Sequence, residues 1–527
     1  MRLLRAALWL AALTPALWLA TQFRDLPHLG ELHDDALYLV SAKSLAEGRG
    51  YRILSLPDEP YQTKYPPLFP AWLAPAWRAN PDFPANLSWF VALTWIWLPA
   101  LALVSRLVFR DLGFDDRWAL GLSAMLMLIP LAAYFAVSLM AELMMATLLM
   151  LALALAERGR ALPSGIVTAL AFLTKSAALP AMIAVPALYA FRAQYRRALL
   201  FVIPAWTCFF AWTAWTGAHR APGSAGDYYI DYIGFHRANH TLADMPELIA
   251  TNVPIAVMGA GRLLAFDAQH TGTAIYLATL LGLLSLLSFA RIPGRITMYH
   301  AFLIGFVAML VVWNFTPHER FWLPVLPLLL AGLAAELRKV PRMSRWMRPV
   351  ALAFASTLVW MNLGAICTTL PAIAETGRNR NVRLEPVYAW IRDHTPRDAA
   401  FVAAVDPVVY LHTDRHARGM HFPTRFFYHG ERSQILDYFA DVGGFAREHS
   451  LDWALILDDD HAMDMTPAET HDRATRAKAD PALELAASFD RAAVFRVRAT
   501  LEENAAPHPP RVSAAPRLRP AEEASHP

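Results

Sequence analysis

Eleven apolar segments dominate the 527-residue chain: 6–22, 86–105, 118–136, 139–156, 162–175, 177–191, 198–216, 273–290, 297–313, 321–338 and 349–370. In lipid, backbone groups find no water, so a spanning segment must satisfy its hydrogen bonds internally, and about 20 apolar residues of helix cross a bilayer. This many such segments excludes a soluble globular fold and points to an α-helical polytopic membrane protein with about 11 transmembrane helices. Composition agrees, with 56% hydrophobic and 17% charged residues, where a soluble domain is about a quarter charged. Seventeen Trp and 28 Phe fit the aromatic belts of membrane interfaces. The start, Met1 to Arg5 followed by apolar residues, resembles a signal peptide. However, Thr21-Gln22-Phe23 is a poor small-residue cleavage site, so the first helix is read as uncleaved. Cys208 and Cys367 lie in separate apolar runs and form neither a disulfide framework nor a metal motif.

Orientation follows from the basic residues of the short loops. Arg2, Arg5, Arg106, Arg110, Arg117, Arg158, Arg160, Arg192, Arg196, Arg197, Arg291, Arg295 and the cluster from Arg338 to Arg348 fall on one side. The opposite short connections hold only Lys175 and Arg320. The first side is therefore cytoplasmic, and an odd number of spans leaves the C-terminal part outside. The expected location is the inner (plasma) membrane, multi-pass. Residues 1–375 read as a transmembrane module with extracytoplasmic loops 23–85 and 217–272, both too long for simple turns. Residues 385–499 change character, with strand-like runs at 399–405, 453–457 and 492–497 between helical stretches. They read as a small extracytoplasmic α/β domain. The tail 500–527, rich in Pro, Ala and Glu without periodicity, reads as disordered.

Polar residues on the outer side are the candidates for a shared site. Asp34 and Asp35 open a helical stretch in the first loop that ends before Gly48 and reads as lying at the membrane surface. Asp34 is either a helix cap or a general base, with Asp35 orienting it or holding a metal. Adjacent carboxylates repel, which makes their protonation tunable. Lys64 precedes Tyr65-Pro66-Pro67 and is either a snorkelling side chain or a phosphate ligand. Glu142 begins the 139–156 helix, where it either meets the positive end of its own helix or serves function, the default for an ionisable residue in a span. Lys175, at the outer end of its hairpin, has the same two readings. Arg320, before Phe-Trp-Leu-Pro, suits bidentate phosphate binding or a salt bridge to Glu319 or a loop carboxylate. His33, His219, His236, His240 and His270 show no metal-site spacing. Asp458-Asp459-Asp460 imitates the acidic motif of soluble sugar-nucleotide transferases, but its outer position makes it a strand end or turn.

The set resembles the GT-C superfamily of integral membrane glycosyltransferases, nearest the protein O-mannosyltransferases and the lipid A aminoarabinose transferases. Those families place an Asp-Glu pair in the first extracytoplasmic loop, matched here by Asp34-Asp35 within His33-Asp34-Asp35-Ala36-Leu37-Tyr38. They carry Lys and Pro-Pro later in that loop; here Tyr65 stands between Lys64 and Pro66. The Ser138-to-Glu142 start of the fourth span, the Glu319-Arg320-Phe-Trp-Leu-Pro run, and the segment from Val387 to Arg415 also look like family features.

The resemblance implies a polyprenyl-phosphate-linked sugar donor and a lipid, glycan or protein acceptor in the cell envelope, with no nucleic acid. It implies Asp34 as base, Asp35 and Glu142 as supporting acids, and Lys64, Arg320 and Lys175 as substrate-phosphate binders. Phosphate leaves readily, so the site needs charge stabilisation and a base for the acceptor hydroxyl, and attack opposite the leaving group inverts the anomeric centre. Some members use a divalent metal; the acid expected beside Lys64 is Thr63 here, so no metal ligand is assigned. Two other classes stay open: a transporter or flippase of a lipid-linked sugar, against which stands the absence of an inverted hydropathy repeat, and a non-catalytic envelope scaffold, for which Asp34 would be dispensable.

Overall fold

A computed structural model describes residues 2–237, 242–265, 272–313, 316–422, 432–459 and 465–498. The tail 500–527, His240, His270 and Asp460 lie outside them. The chain divides into two compact units, one of residues 1–51, 65–215 and 243–389, the other of 52–64, 216–242 and 390–527.

The first unit is helical. Each of the eleven apolar segments contains helix. Among the described residues four helices are long and apolar enough to cross a membrane, or five with one bent pair, and several others are shorter apolar helices. The bent pair is Asp116–Met127 and Pro130–Ala136, at 63°, broken where Pro130 lacks the N–H that continuity requires. The seven elements that set the site are α1 (Asp34–Ala46), α2 (Leu68–Ala79), α3 (Glu142–Glu157), α4 (Ala161–Thr174), α5 (Met245–Leu264), α6 (Gly272–Ala290) and α7 (Leu326–Leu337).

Three differences from the sequence reading have physical causes. Helix α1 is not a surface helix with one wet face. Every residue from Asp35 to Ala42 is buried, because Ala36-Leu-Tyr-Leu-Val40 is apolar on all sides of the first turns, and α1 packs on α2. The 217–272 stretch is not only loop, since it holds the 20-residue α5. Its Pro246, Glu247, Asn252, Pro254 and Arg262 break the apolar run that marks a span. The last apolar helix does not stop near residue 370. It continues through a short π-helical turn as Leu370–His394, past Pro386.

Ahead of α7 the chain is a 3₁₀ segment, Glu319–Val325. Pro324 and Pro327 remove backbone donors there, and the tighter turn carries Arg320. This segment lies directly on α5. A Cβ on Gly259 would come within 2.7 Å of the Pro317 carbonyl oxygen and 3.1 Å of the Glu319 nitrogen, so only glycine permits the approach.

The second unit is built on a five-stranded sheet of order β2-β1-β3-β5-β4. Its strands are β1 (Ala400–Val402), β2 (His416–Arg418), β3 (Trp453–Leu457), β4 (Leu483–Phe489) and β5 (Ala492–Val497). β1 is parallel to β2 and β3; β5 is antiparallel to β3 and β4, with Phe401 opposite Trp453 and Leu455 opposite Val494. Val402, Phe445, Ile456 and Phe495 are among its core residues. Asp458 and Asp459 form a turn after β3, and Asp458 pairs with Lys478. Both outer-loop pieces join this unit. The Ser55 carbonyl accepts from Ala417 N at 2.8 Å, and the Tyr229 hydroxyl lies 2.8 Å from Asp406 Oδ1 and accepts from Gly419 N at 2.9 Å.

Candidate active site

Four segments of the first unit deliver charge to one place. Asp34 is the first residue of α1, Glu142 the first of α3, Lys175 follows the end of α4, and Arg320 stands in the 3₁₀ segment. Arg320 bridges two carboxylates: its Nη2 donates to Asp34 Oδ2, and its Nε to Glu142 Oε1 at 2.9 Å. Lys175 Nζ donates to the same Glu142 Oε1 at 2.7 Å. Two cations thus face two anions, and the cluster is formally neutral. Its side chains are largely removed from solvent: Glu142 is 3% exposed, Asp34 15%, Lys175 16% and Arg320 24%. Charges this far from water persist only when paired. The planar guanidinium, with donors in fixed directions, is the side chain able to serve both acids at once. Glu142 Oε2 is buried and has no hydrogen-bond partner among the described residues.

Asp34 is also held from the first loop. The Tyr65 phenol donates to its Oδ1. The ring of Tyr65 packs on that of Tyr38, with centroids 4.9 Å apart, and Tyr38 packs on Phe69 at 5.1 Å. The Tyr51 hydroxyl donates to the carbonyls of Tyr65 at 3.0 Å and Pro66 at 3.2 Å. The buried Tyr38 phenol is pushed well above its ordinary range by burial, with the Asp34 and Glu142 carboxylates adding to the effect, and its hydroxyl has no hydrogen-bond partner among the described residues.

The two adjacent aspartates have opposite environments. Asp34 follows His33, which occupies the N-cap position of α1, and faces Arg320. Asp35 turns the other way. Its Oδ2 accepts from Gly30 N at 3.0 Å and its Oδ1 from Ala36 N at 2.8 Å. Burial pushes the Asp35 carboxyl up to about 7, against the lowering effect of these two backbone donors. Between the turn and the helix, His33 takes a positive φ of 59°, a conformation in which a non-glycine residue is strained. Ser138, four residues before Glu142, lies 2.9 Å from His28 Nε2, and burial pushes that imidazole down to about 3. This pair braces the entry to α3.

Lys64 belongs to the second unit. Its ammonium sits 3.4 Å from the centroid of the Tyr228 ring and 4.6 Å from that of Tyr232, where aromatic faces attract a cation. The neighbouring Thr63 hydroxyl donates to the Ile230 carbonyl at 2.8 Å. Where the family resemblance would put a metal-binding acid, Thr63 offers a neutral hydroxyl in place of a carboxylate.

Sequence reasoning picked out Asp34, Glu142, Lys175 and Arg320, and the fold brings these four together. It missed Tyr65 as a partner of Asp34, having treated it as an interruption of the Lys-Pro-Pro pattern. It also missed Gly259, whose signal was the run of small residues Gly259-Ala-Gly261 after Val257-Met258.

No protein-family model matches the sequence, and no curated protein matches it. Among solved structures, the crystal structure of ArnT from Cupriavidus metallidurans bound to undecaprenyl phosphate is similar over 92% of this chain and 97% of that one, at 13% identity and a TM-score of 0.50. The Archaeoglobus fulgidus oligosaccharyltransferase in its apo form matches over 86% of this chain and 70% of that one, at 12% identity and a TM-score of 0.49. The mycobacterial arabinofuranosyltransferase AftD covers 94% of this chain, which spans 40% of AftD, at 16% identity and a TM-score of 0.42. At such low identity a likeness speaks of the backbone alone: the chain has the fold of ArnT.

Proposed function

We propose that the protein is an integral membrane glycosyltransferase that moves a sugar from a polyprenyl-phosphate donor to an envelope lipid, glycan or protein acceptor on the extracytoplasmic face, with inversion. The observation that carries this reading is the convergence of Asp34, Glu142, Lys175 and Arg320 from four separate segments in a chain with the fold of ArnT, a protein seen with undecaprenyl phosphate bound.

The chemistry follows from the charge balance. The cluster is neutral at rest, so an arriving phosphate competes with Asp34 and Glu142 for Arg320 and Lys175. As the phosphate takes Arg320, Asp34 loses its ionic partner, and a carboxylate that loses a hydrogen bond to its charged form becomes more basic. Donor binding thereby arms the base. The acceptor hydroxyl gives its proton to Asp34, and its oxygen attacks the anomeric carbon. The carbon–oxygen bond to phosphate breaks with its electron pair on the phosphate, whose growing charge Arg320 and Lys175 stabilise. Glu142 Oε2, buried and unpartnered among the described residues, accepts a hydrogen bond from a sugar hydroxyl. Asp35 shapes the turn that aims Asp34.

Asp34→Asn tests the reading. In membranes supplied with polyprenyl-phosphate sugar, the variant is expected to insert normally and lose transfer by about 10²–10⁴-fold, the usual contribution of a general base. Wild-type turnover would refute the assignment. A transporter of lipid-linked sugar would instead move its cargo without making a glycosidic bond, which mass analysis of the product distinguishes.

A further inference from the structure

The position at which this chain departs from the Lys-Pro-Pro pattern is Tyr65, and its phenol donates to Asp34 Oδ1 while Arg320 holds Oδ2. We infer that Tyr65 is a positioning residue for the base: it holds the Asp34 carboxylate in its reactive orientation while Arg320 is drawn away to the donor phosphate. The inference rests on the assignment of Asp34 as base made above.

Tyr65 is built to stay in place. It is 9% exposed. Its backbone is pinned by the Tyr51 hydroxyl through the carbonyls of Tyr65 and Pro66. Its ring is backed by Tyr38, which leans on Phe69. Pro66 and Pro67 follow immediately and restrict the backbone on the C-terminal side. A carboxylate oxygen offers two lone pairs, so a phenol on Oδ1 leaves room for an acceptor hydroxyl at the same carboxylate. The phenol also sets basicity. A hydrogen bond donated to the charged form favours that form, so Tyr65 keeps Asp34 ionised and ready to take the proton at lower pH than it otherwise would be.

The test is the pH dependence of kcat with the full-length protein in membranes or detergent, using polyprenyl-phosphate sugar as donor. Tyr65→Phe removes the phenol and keeps the ring. It is expected to move the acid limb upward by about 0.5–1 pH unit, to lower kcat by about three- to tenfold near neutral pH, and to leave the donor KM unchanged. A role confined to packing would leave the acid limb where it is. An unmoved limb beside an inactive Asp34→Asn would overturn this inference alone, with the base assignment standing. An active Asp34→Asn would remove both. A raised donor KM with unchanged kcat would make Tyr65 a donor contact and also overturn it. If Tyr65→Phe is not recovered folded, Tyr51→Phe decides: it frees the Tyr65 backbone without touching the phenol, and a smaller shift of the same sign sustains the inference, whereas no shift overturns it.

Discussion

Gly259→Ala adds one carbon to α5, and the structure says what that carbon meets. Its Cβ would lie 2.7 Å from the Pro317 carbonyl oxygen, 3.0 Å from His318 C and 3.1 Å from Glu319 N. All three are backbone atoms, so no side chain can swing aside. To regain ordinary contact at 3.4 Å, the 317–319 segment must retreat by about 0.7 Å. Arg320 is the next residue. Its Nε bond to Glu142 stands at 2.9 Å; a displacement of about 0.7 Å carries it past the limit of a hydrogen bond. Overpacking of this kind costs about 1–3 kcal/mol of stability. The effect on chemistry is expected to be larger, because displacement of a catalytic group by about 1 Å can lower rate about 10²-fold. The assay is sugar transfer by purified protein, alongside thermal unfolding in detergent. Gly305→Ala is the control, since its new Cβ would meet only Pro180, at 3.6 Å. Gly259→Ala is expected to be folded, slightly less stable and slower by about one to two orders of magnitude, with Gly305→Ala unchanged. Wild-type transfer by Gly259→Ala would show that the 3₁₀ segment is not held by this contact, or that its position does not matter to the reaction.

Arg320→Lys keeps the charge but replaces two fixed donor directions by a point charge, so it is expected to serve only one of Asp34 and Glu142. The loss of one charge-assisted hydrogen bond, about 1.5–3 kcal/mol, should appear as a lowered unfolding temperature, and wild-type stability together with wild-type transfer would count against the bridge. Asp35 has a folded-state carboxyl pushed up to about 7 from an ordinary 3.8. The folded chain therefore binds more protons there than the unfolded one, and this group's contribution to stability falls as pH rises through that window. Asp35→Asn, which stays neutral, should flatten the decline in unfolding temperature between about pH 4 and 7; an unchanged slope would assign the decline to other groups.

What the sequence made legible was charge against an apolar background. Asp34, Glu142, Lys175 and Arg320 stand at the ends of apolar runs, and the one-sided arginines put them on a common face before any geometry was known. What it concealed depended on direction. Nothing in an Asp-Asp pair says which side chain turns inward; that is decided by the turn at Gly30 and the strained His33, which send Asp35 to backbone donors and Asp34 to Arg320. The value of Tyr65 depends on a contact spanning 31 residues. Gly259 matters because of a segment nearly 60 positions later in the chain. Helix α5 was hidden because its polar and proline residues dilute its hydropathy. The sheet was partly readable: the runs at 399–405, 453–457 and 492–497 each contain a strand, while short β2 and largely exposed β4 carry too little apolar signal.

The second unit is assembled from three pieces that the ribosome delivers at very different times. Residues 52–64 emerge early, 216–242 midway, and the sheet only after residue 390. Until β2 exists, the Ser55 carbonyl has no Ala417 N–H to receive, and Asp227 has no Arg418 to pair with. A nascent chain must therefore carry the stretch with Lys64 through most of its synthesis without its final partners, and contacts this distant in sequence close slowly. The same arrangement governs dissection. A fragment starting at residue 390 would lack the first-loop piece that bonds to β2, and bare strand edges invite pairing with another copy. The unit is a module in space but not in the gene, and shuffling it into a relative would require grafting three segments together.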